Sequence, residues 1–276
     1  MGGSDYWSGR TAIVTGASRG LGRILSHRLL SLGARVAVAA RHAEPLQAAF
    51  AAERESSRHD DLLIIPTDVT DAEACRQLVE RTVEHFGRVD GLFCVAGRSD
   101  RGRIAEVDPE RHRELWELNF LGTLQVALPA IPHLRERSGH LVLIGSLASR
   151  LAGPYLGAYP ASKFPLTALA QQLRLEIDPR ELHVLLVCPG PIRRDDAGTR
   201  YDDVTGDLPE SSRRPGGGVR LSGIDPERLV DRILHACRHR RPELVVPWRV
   251  RIVMALHALA PRLAERIIRR QTTSRE

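Results

Sequence analysis

The sequence is poor in the residues that staple, span or stack. Its four cysteines, Cys75, Cys94, Cys188 and Cys237, lie far apart with no CxxC pair. That argues against a disulfide scaffold or a structural zinc site and fits a reducing compartment. No apolar run approaches the roughly 20 residues of a membrane span. Met1 to Thr11 also lacks the apolar core of a signal peptide, so a cytoplasmic protein is expected. Aromatic residues make up 4% of the chain, too few to favour base stacking along a nucleic acid. The 11 histidines show no HExxH or comparable spacing, and no metal site is expected. Charge is not gathered into a block either. The 40 basic residues against 34 acidic give +6, dispersed as on a solvated surface and not as a nucleic-acid face.

Two absences are sharper. Lys163 is the only lysine, so the other 39 of the 40 basic residues are arginine, and Asn119 is the only asparagine. A lone lysine in an arginine-rich chain suggests a position that needs a compact, titratable ammonium, which a permanently charged guanidinium replaces poorly. Asparagine brings a neutral donor and a neutral acceptor on a short stem.

What is present, 42% hydrophobic and 27% charged residues over 276 positions, suffices for one large core. Short apolar runs alternate with helix-like segments, the rhythm of a parallel sheet flanked by helices. Expected strands are Thr11–Thr15, Arg35–Ala39, Leu62–Ile65, Gly91–Val95, His140–Ile144, Val184–Val187 and Leu244–Val246. Expected helices are Leu21–Leu32, Ala43–Glu55, Asp71–Phe86, Pro109–His133, Ala161–Ile177 and Pro226–Arg238. Asp71 and Asp225 read as N-caps, and Gly33 and Gly87 as C-terminal helix stops. The fold class is therefore α/β, a single Rossmann-like doubly wound domain over residues 8–248 with a central, mostly parallel seven-stranded sheet. Residues 191–223, rich in Gly, Pro, Asp and Arg, read as a substrate loop or lid. Residues 249–276 read as an amphipathic tail, expected to pack on the domain, with peripheral membrane contact as the other reading.

A glycine turn, Thr15-Gly16-Ala17-Ser18-Arg19-Gly20-Leu21-Gly22, follows the first strand and opens the first helix. Such a turn lets backbone N–H groups at the positive helix end approach a pyrophosphate. The second strand ends Val38-Ala39-Ala40-Arg41-His42 without the carboxylate that commonly binds the adenosine ribose. Arg41, with Arg19, offers a phosphate instead a forked cation, favouring NADP(H) over NAD.

Tyr159 and Lys163 stand four residues apart, one face of a helix. An ammonium beside a phenol favours the phenolate and draws its pKa from about 10 toward working pH. Ser146 follows the strand His140–Ile144, at the sheet edge where open α/β sheets bind ligands.

Together, Gly16/Gly20/Gly22, Asn119, Ser146, Tyr159-Pro160-Ala161-Ser162-Lys163 and Pro189-Gly190 resemble the short-chain dehydrogenase/reductase family in its compact form. The resemblance runs from about Arg10 to Pro247. It implies an NADP-dependent oxidoreductase moving a hydride between NADP(H) and a carbonyl or secondary alcohol. It also implies roles. Tyr159 is general acid or base, Lys163 lowers its pKa and binds the nicotinamide ribose, and Ser146 orients the carbonyl. Asn119 helps hold a proton-relaying water. Asp68 and the adjoining Val69 meet the adenine, Ala96 and Gly97 contact the cofactor, and Pro189, Gly190 and Ile192 lie near the nicotinamide. With Gly16, Ser18, Arg19, Gly20, Leu21, Gly22 and Arg41, these complete the expected cofactor site.

Departures from the family pattern are Cys94 and Val95 in place of two asparagines, Arg194 in place of a threonine, and Pro165 inside the catalytic helix. Cys94, Val95 and Arg194 keep open an alternative, a catalytically silent NADP(H)-binding regulatory or scaffold protein. By analogy the expected partners are a small-molecule carbonyl or alcohol substrate and further copies of the chain, as a homodimer or homotetramer.

Overall fold

The computed structural model describes residues 6–56, 58–193, 208–213, 216 and 221–272; Arg194 and most of the expected lid lie outside them. Seven strands form one sheet: β1 (Thr11–Thr15), β2 (Arg35–Ala40), β3 (Leu62–Pro66), β4 (Gly91–Cys94), β5 (His140–Ile144), β6 (His183–Pro189) and β7 (Glu243–Val246). Their order is β3-β2-β1-β4-β5-β6-β7, and every pairing is parallel. The sheet is thus wholly parallel, where a mostly parallel one was expected. Strand order reverses between β1 and β4, the switch point at which such sheets bind ligands.

Both faces are covered, which is why the strands are apolar at nearly every position. Side chains alternate between two cores. One holds Val14, Val38, Phe93, Val142 and Val187 with Leu25, Leu29 and Ile233, the last three from helices α1 (Gly20–Ser31) and α8 (Pro226–Arg238). The other holds Ile13, Leu92, Leu141, Leu143 and Leu186 with Leu78, Val126 and Leu166. These last three come from α4 (Ala72–Phe86), α6 (Gly122–Glu136) and α7 (Tyr159–Glu176). The Asp71 carboxylate accepts from the N–H groups of Glu73 and Ala74, and Asp225 from that of Arg228. Gly87 closes α4 at φ 75°.

Three expected helices differ in detail. The segment expected as Ala43–Glu55 divides at Phe50 into α2 (Ala43–Ala49) and α3 (Ala51–Arg54). Phe50, fully buried, stands at the break with non-helical backbone angles, φ −128° and ψ 23°. The segment expected as Pro109–His133 is α5 (Pro109–Trp116), a π-turn over Glu117–Leu121, then α6 running on to Glu136. The helix expected from Ala161 starts at Tyr159 and passes Pro165 without ending. In the tail, α9 (Val250–Leu259) and α10 (Pro261–Thr272) follow β7. Val250 and Met254 pack against the second core. No helix among the described residues is long and apolar enough to cross a membrane.

Candidate active site

Every candidate residue following a strand lies at the C-terminal edge of the sheet. The glycine turn joins β1 to α1. Gly16 has φ +67° and Gly20 φ +55°, the left-handed region where a Cβ is penalised. A Cβ on Gly22 would lie 2.3 Å from the Gly16 carbonyl oxygen, and one on Gly16 would lie 2.9 Å from the backbone of Ala96. Helix, turn and β4 end therefore meet backbone to backbone. The Ala17 N–H donates to the Ala39 carbonyl, tying the turn to the end of β2. Arg19 is the N-cap of α1, with no side-chain cap and no acidic residue in the first turn. Those leading N–H groups and the helix dipole suit an anion. Ser18 and Leu21 are half-buried in the turn, while Arg19 and, just past β2, Arg41 are exposed. The Arg41 Nε donates to His42 Nε2 at 3.1 Å. Past β3, the Asp68 carboxylate accepts from the N–H and hydroxyl of Thr70, and Val69 packs against Gly122. A nucleotide with a pyrophosphate fits this cradle.

On the other side of the switch point lie the polar groups. Asn119 is fully buried in the π-turn. Its Oδ1 accepts from the Arg98 N–H, and its Nδ2 donates to the Arg98 carbonyl and to Ser162 Oγ, all at 2.8 Å. The extra residue of a π-turn re-aims one side chain, a device frequent at functional sites. Lys163 is buried and donates from Nζ to the Ile144 carbonyl at 3.0 Å. Burial pushes its pKa down to about 8. A Cβ on Gly97 would sit 2.7 Å from Asn119 Oδ1 and 3.1 Å from Lys163 Nζ, so the two polar groups converge over Gly97. Tyr159 is half-buried, one turn before Lys163 on α7. Ser146 caps a short 3₁₀ turn, Leu147–Ser149, in which its Oγ accepts from Ala148 and its N–H donates to Ser149 Oγ. The Thr167 hydroxyl donates to the Ser149 carbonyl, fastening α7 to that turn. Past β6, the Gly190 N–H donates to Val246, and Ile192 forms a bridge with Ile224.

The sequence profile of the short chain dehydrogenase family matches residues 10–204. The chain belongs to the short-chain dehydrogenase/reductase family. Its named curated relatives include dehydrogenases and a reductase. An "11-beta-hydroxysteroid dehydrogenase A" of Sesamum indicum is 33% identical over 68% of this chain and 53% of its own length. The chain therefore spans about half the length of that curated relative. A short chain dehydrogenase from Burkholderia cenocepacia, solved with NADP, superposes with TM-score 0.74 at 25% identity, covering 95% of this chain and 98% of the other. A relative from Burkholderia phymatum, solved with NAD, reaches TM-score 0.79 at 21% identity over 93% and 95%. Both nucleotides thus occur on this fold.

At the segment where the short-chain dehydrogenase pattern is altered, the structure shows what holds the backbone. Beside Cys94 and Val95, the Thr15 hydroxyl accepts from the N–H groups of Val95 and Ala96 at 3.1 and 3.2 Å. A neighbouring strand thereby holds the end of β4. Sequence reasoning placed Thr15 only at the start of the glycine turn and missed this contact, because nothing local links it to a segment 80 residues away. It also missed Asp100, a buried carboxylate that accepts from Arg111 at 2.9 Å and from the Ala158 N–H at 3.3 Å. Asp100 therefore positions the residue before Tyr159. No spacing rule announces such a contact.

Proposed function

We propose that this chain transfers a hydride between NADP(H) and a carbonyl or secondary alcohol, with Tyr159 as the proton-transfer group. The observation that carries the reading is the buried ammonium of Lys163. It is held by the Ile144 carbonyl over Gly97 and Asn119, one helical turn from a phenol. A buried cation costs free energy unless it is paired and hydrogen-bonded. The hydrogen-bond partner of Lys163 is a neutral carbonyl, so a role in the chemistry accounts for the cost. Beside a phenol, its charge favours the phenolate and so eases proton exchange.

A bound nicotinamide would supply the hydride, and the chain supplies position, a proton and exclusion of water. In reduction the Tyr159 hydroxyl gives its proton to the carbonyl oxygen as charge develops there; in oxidation the phenolate takes it back. The Ser146 hydroxyl polarises the same oxygen. Asn119 fixes the backbone at Arg98 and the hydroxyl of Ser162, and a water between its Oδ1 and Lys163 would return protons to the site. Gly16, Ser18, Gly20, Leu21 and Gly22 would hold the pyrophosphate, and Asp68 and Val69 the adenine. Ala96, Gly97, Pro189, Gly190 and Ile192 would line the nicotinamide side.

NADP is the preferred nucleotide in this reading, because Arg41 stands where a ribose-binding carboxylate would otherwise be. The steroid dehydrogenase named among the relatives supports a lipophilic alcohol or ketone as substrate. Exposed apolar side chains on α6 and α7, namely Leu128, Phe164 and Leu175, support a second copy of the chain as partner.

The test is a screen of steroid and aliphatic ketones, followed at the NADPH absorbance band. Oxidation of NADPH with at least one ketone is expected. Tight NADPH binding with no turnover across the panel would overturn the reading.

A further inference from the structure

Helix α9 is apolar on two opposite faces. Val250 and Met254 dock on the core. Trp248, Ile252, Ala255 and Leu259, spaced by four, three and four residues, fall on the far side of the same helical path. That far side is bare: Trp248 is 62% exposed, Ile252 61% and Leu259 86%, and Leu263 at the start of α10 is 46% exposed. Single exposed apolar residues are ordinary, but a stripe of them at helical spacing marks an interaction surface.

The charges beside the stripe say what it meets. Residues 248–272 carry Arg249, Arg251, Arg262, Arg266, Arg269 and Arg270 against Glu265 alone among acidic residues. Arg249, the N-cap of α9, and Arg251, which donates to Glu243 at 3.2 Å, flank the stripe. On α10, Ala264 is buried and Ile267 and Ile268 half-buried, while Arg262, Arg266, Arg269 and Arg270 share the exposed side. An apolar ridge with an exposed tryptophan, bordered by long arginine stems, suits the boundary between headgroups and acyl chains.

We propose that α9 and α10 dock the chain on the surface of an anionic phospholipid bilayer, lying in the interface without crossing it. Trp248, Ile252, Leu259 and Leu263 enter the acyl boundary, and Arg249, Arg262, Arg266 and Arg270 engage lipid phosphates. The stripe starts two residues beyond Val246, whose carbonyl holds Gly190, so the bilayer would lie at the ligand-binding edge of the sheet.

The test is co-sedimentation of the full chain with phosphatidylcholine vesicles with or without about 30% phosphatidylserine. Binding to the anionic vesicles alone is expected, lost at high salt. An Ile252→Ser/Leu259→Ser variant should bind at least about tenfold more weakly, and Arg266→Gln about fivefold. The melting temperature and NADPH affinity of both variants should be unchanged. Equal binding to both vesicles, no binding, or an undiminished Ile252→Ser/Leu259→Ser variant would overturn the proposal. So would a dimer in solution that these substitutions dissolve without any vesicle binding by the parent chain.

Discussion

Lys163 shows how much one residue type can disclose. Its rarity marked it before any geometry, and the structure buries it at the sheet edge with its pKa pushed down to about 8. Because its folded pKa lies below the unfolded value, the folded chain binds fewer protons between about pH 8 and 10.5, and stability rises with pH across that window. Below about pH 8 the buried charge is a standing cost. Lys163→Met should therefore raise stability at pH 7 by about 1–3 kcal/mol while turnover vanishes; denaturant melts beside activity assays check this, and a destabilised variant would contradict it. Arg41 poses the cofactor question just as locally. Arg41→Ala should weaken NADPH binding about tenfold or more and leave NADH nearly unchanged, as titrations would show. Equal losses would remove the assignment. Asn119 and Ser146 were legible as residues, but their hydrogen bonds to Arg98, Ser162 and Ser149 were not. Those partners are fixed only when separate elements meet.

At the scale of elements, the seven strands were readable because a strand covered on both faces must be apolar throughout, as Leu141, Val142, Leu143 and Ile144 are in β5. The breaks in helices were not readable. The π-turn around Asn119 falls inside the single helix expected over Pro109–His133, and it is revealed only by the backbone. The glycine turn was legible by composition, yet its steric reason lies in the approach of α1 to Gly16. Gly22→Ala would place a methyl 2.3 Å from that carbonyl oxygen. Loss of nucleotide binding is expected, with a fall in stability of about 2 kcal/mol or more. Calorimetry with and without NADPH decides it, and an unaltered variant would contradict the close-packed turn.

For the whole molecule, the parallel sheet has two ends with different tasks. Opposite the candidate site, His140 and His183 open β5 and β6. The His183 Nε2 lies 2.7 Å from the Arg241 carbonyl, which only accepts, so that nitrogen carries the proton. His183 Nδ1 then accepts from His140 Nδ1 at 2.8 Å, and His140 Nε2 accepts from the Tyr6 hydroxyl at 2.6 Å. Cys237 lies close by, but every ring nitrogen is already spent in this chain of hydrogen bonds. Burial, with Arg240 and Arg174 nearby, pushes His183 down to about 4, and burial, with His183, Arg240 and Arg10 nearby, pushes His140 lower still. With both folded values depressed, the pair contributes stability above about pH 6.5 that is lost as pH falls through about 4 and below. A His140→Phe/His183→Leu variant should flatten that decline in denaturant melts at graded pH. An unchanged slope would contradict the neutral pair. The site end depends on the sheet bringing β1, β4, β5 and α7 to one edge around a phenol and its ammonium, and this is the central claim. It is tested most directly by Tyr159→Phe, with NADPH affinity by titration and carbonyl reduction at the NADPH absorbance band measured on the same preparation. The account predicts affinity within about twofold of the parent and turnover reduced by at least about a thousandfold. Undiminished turnover would contradict it.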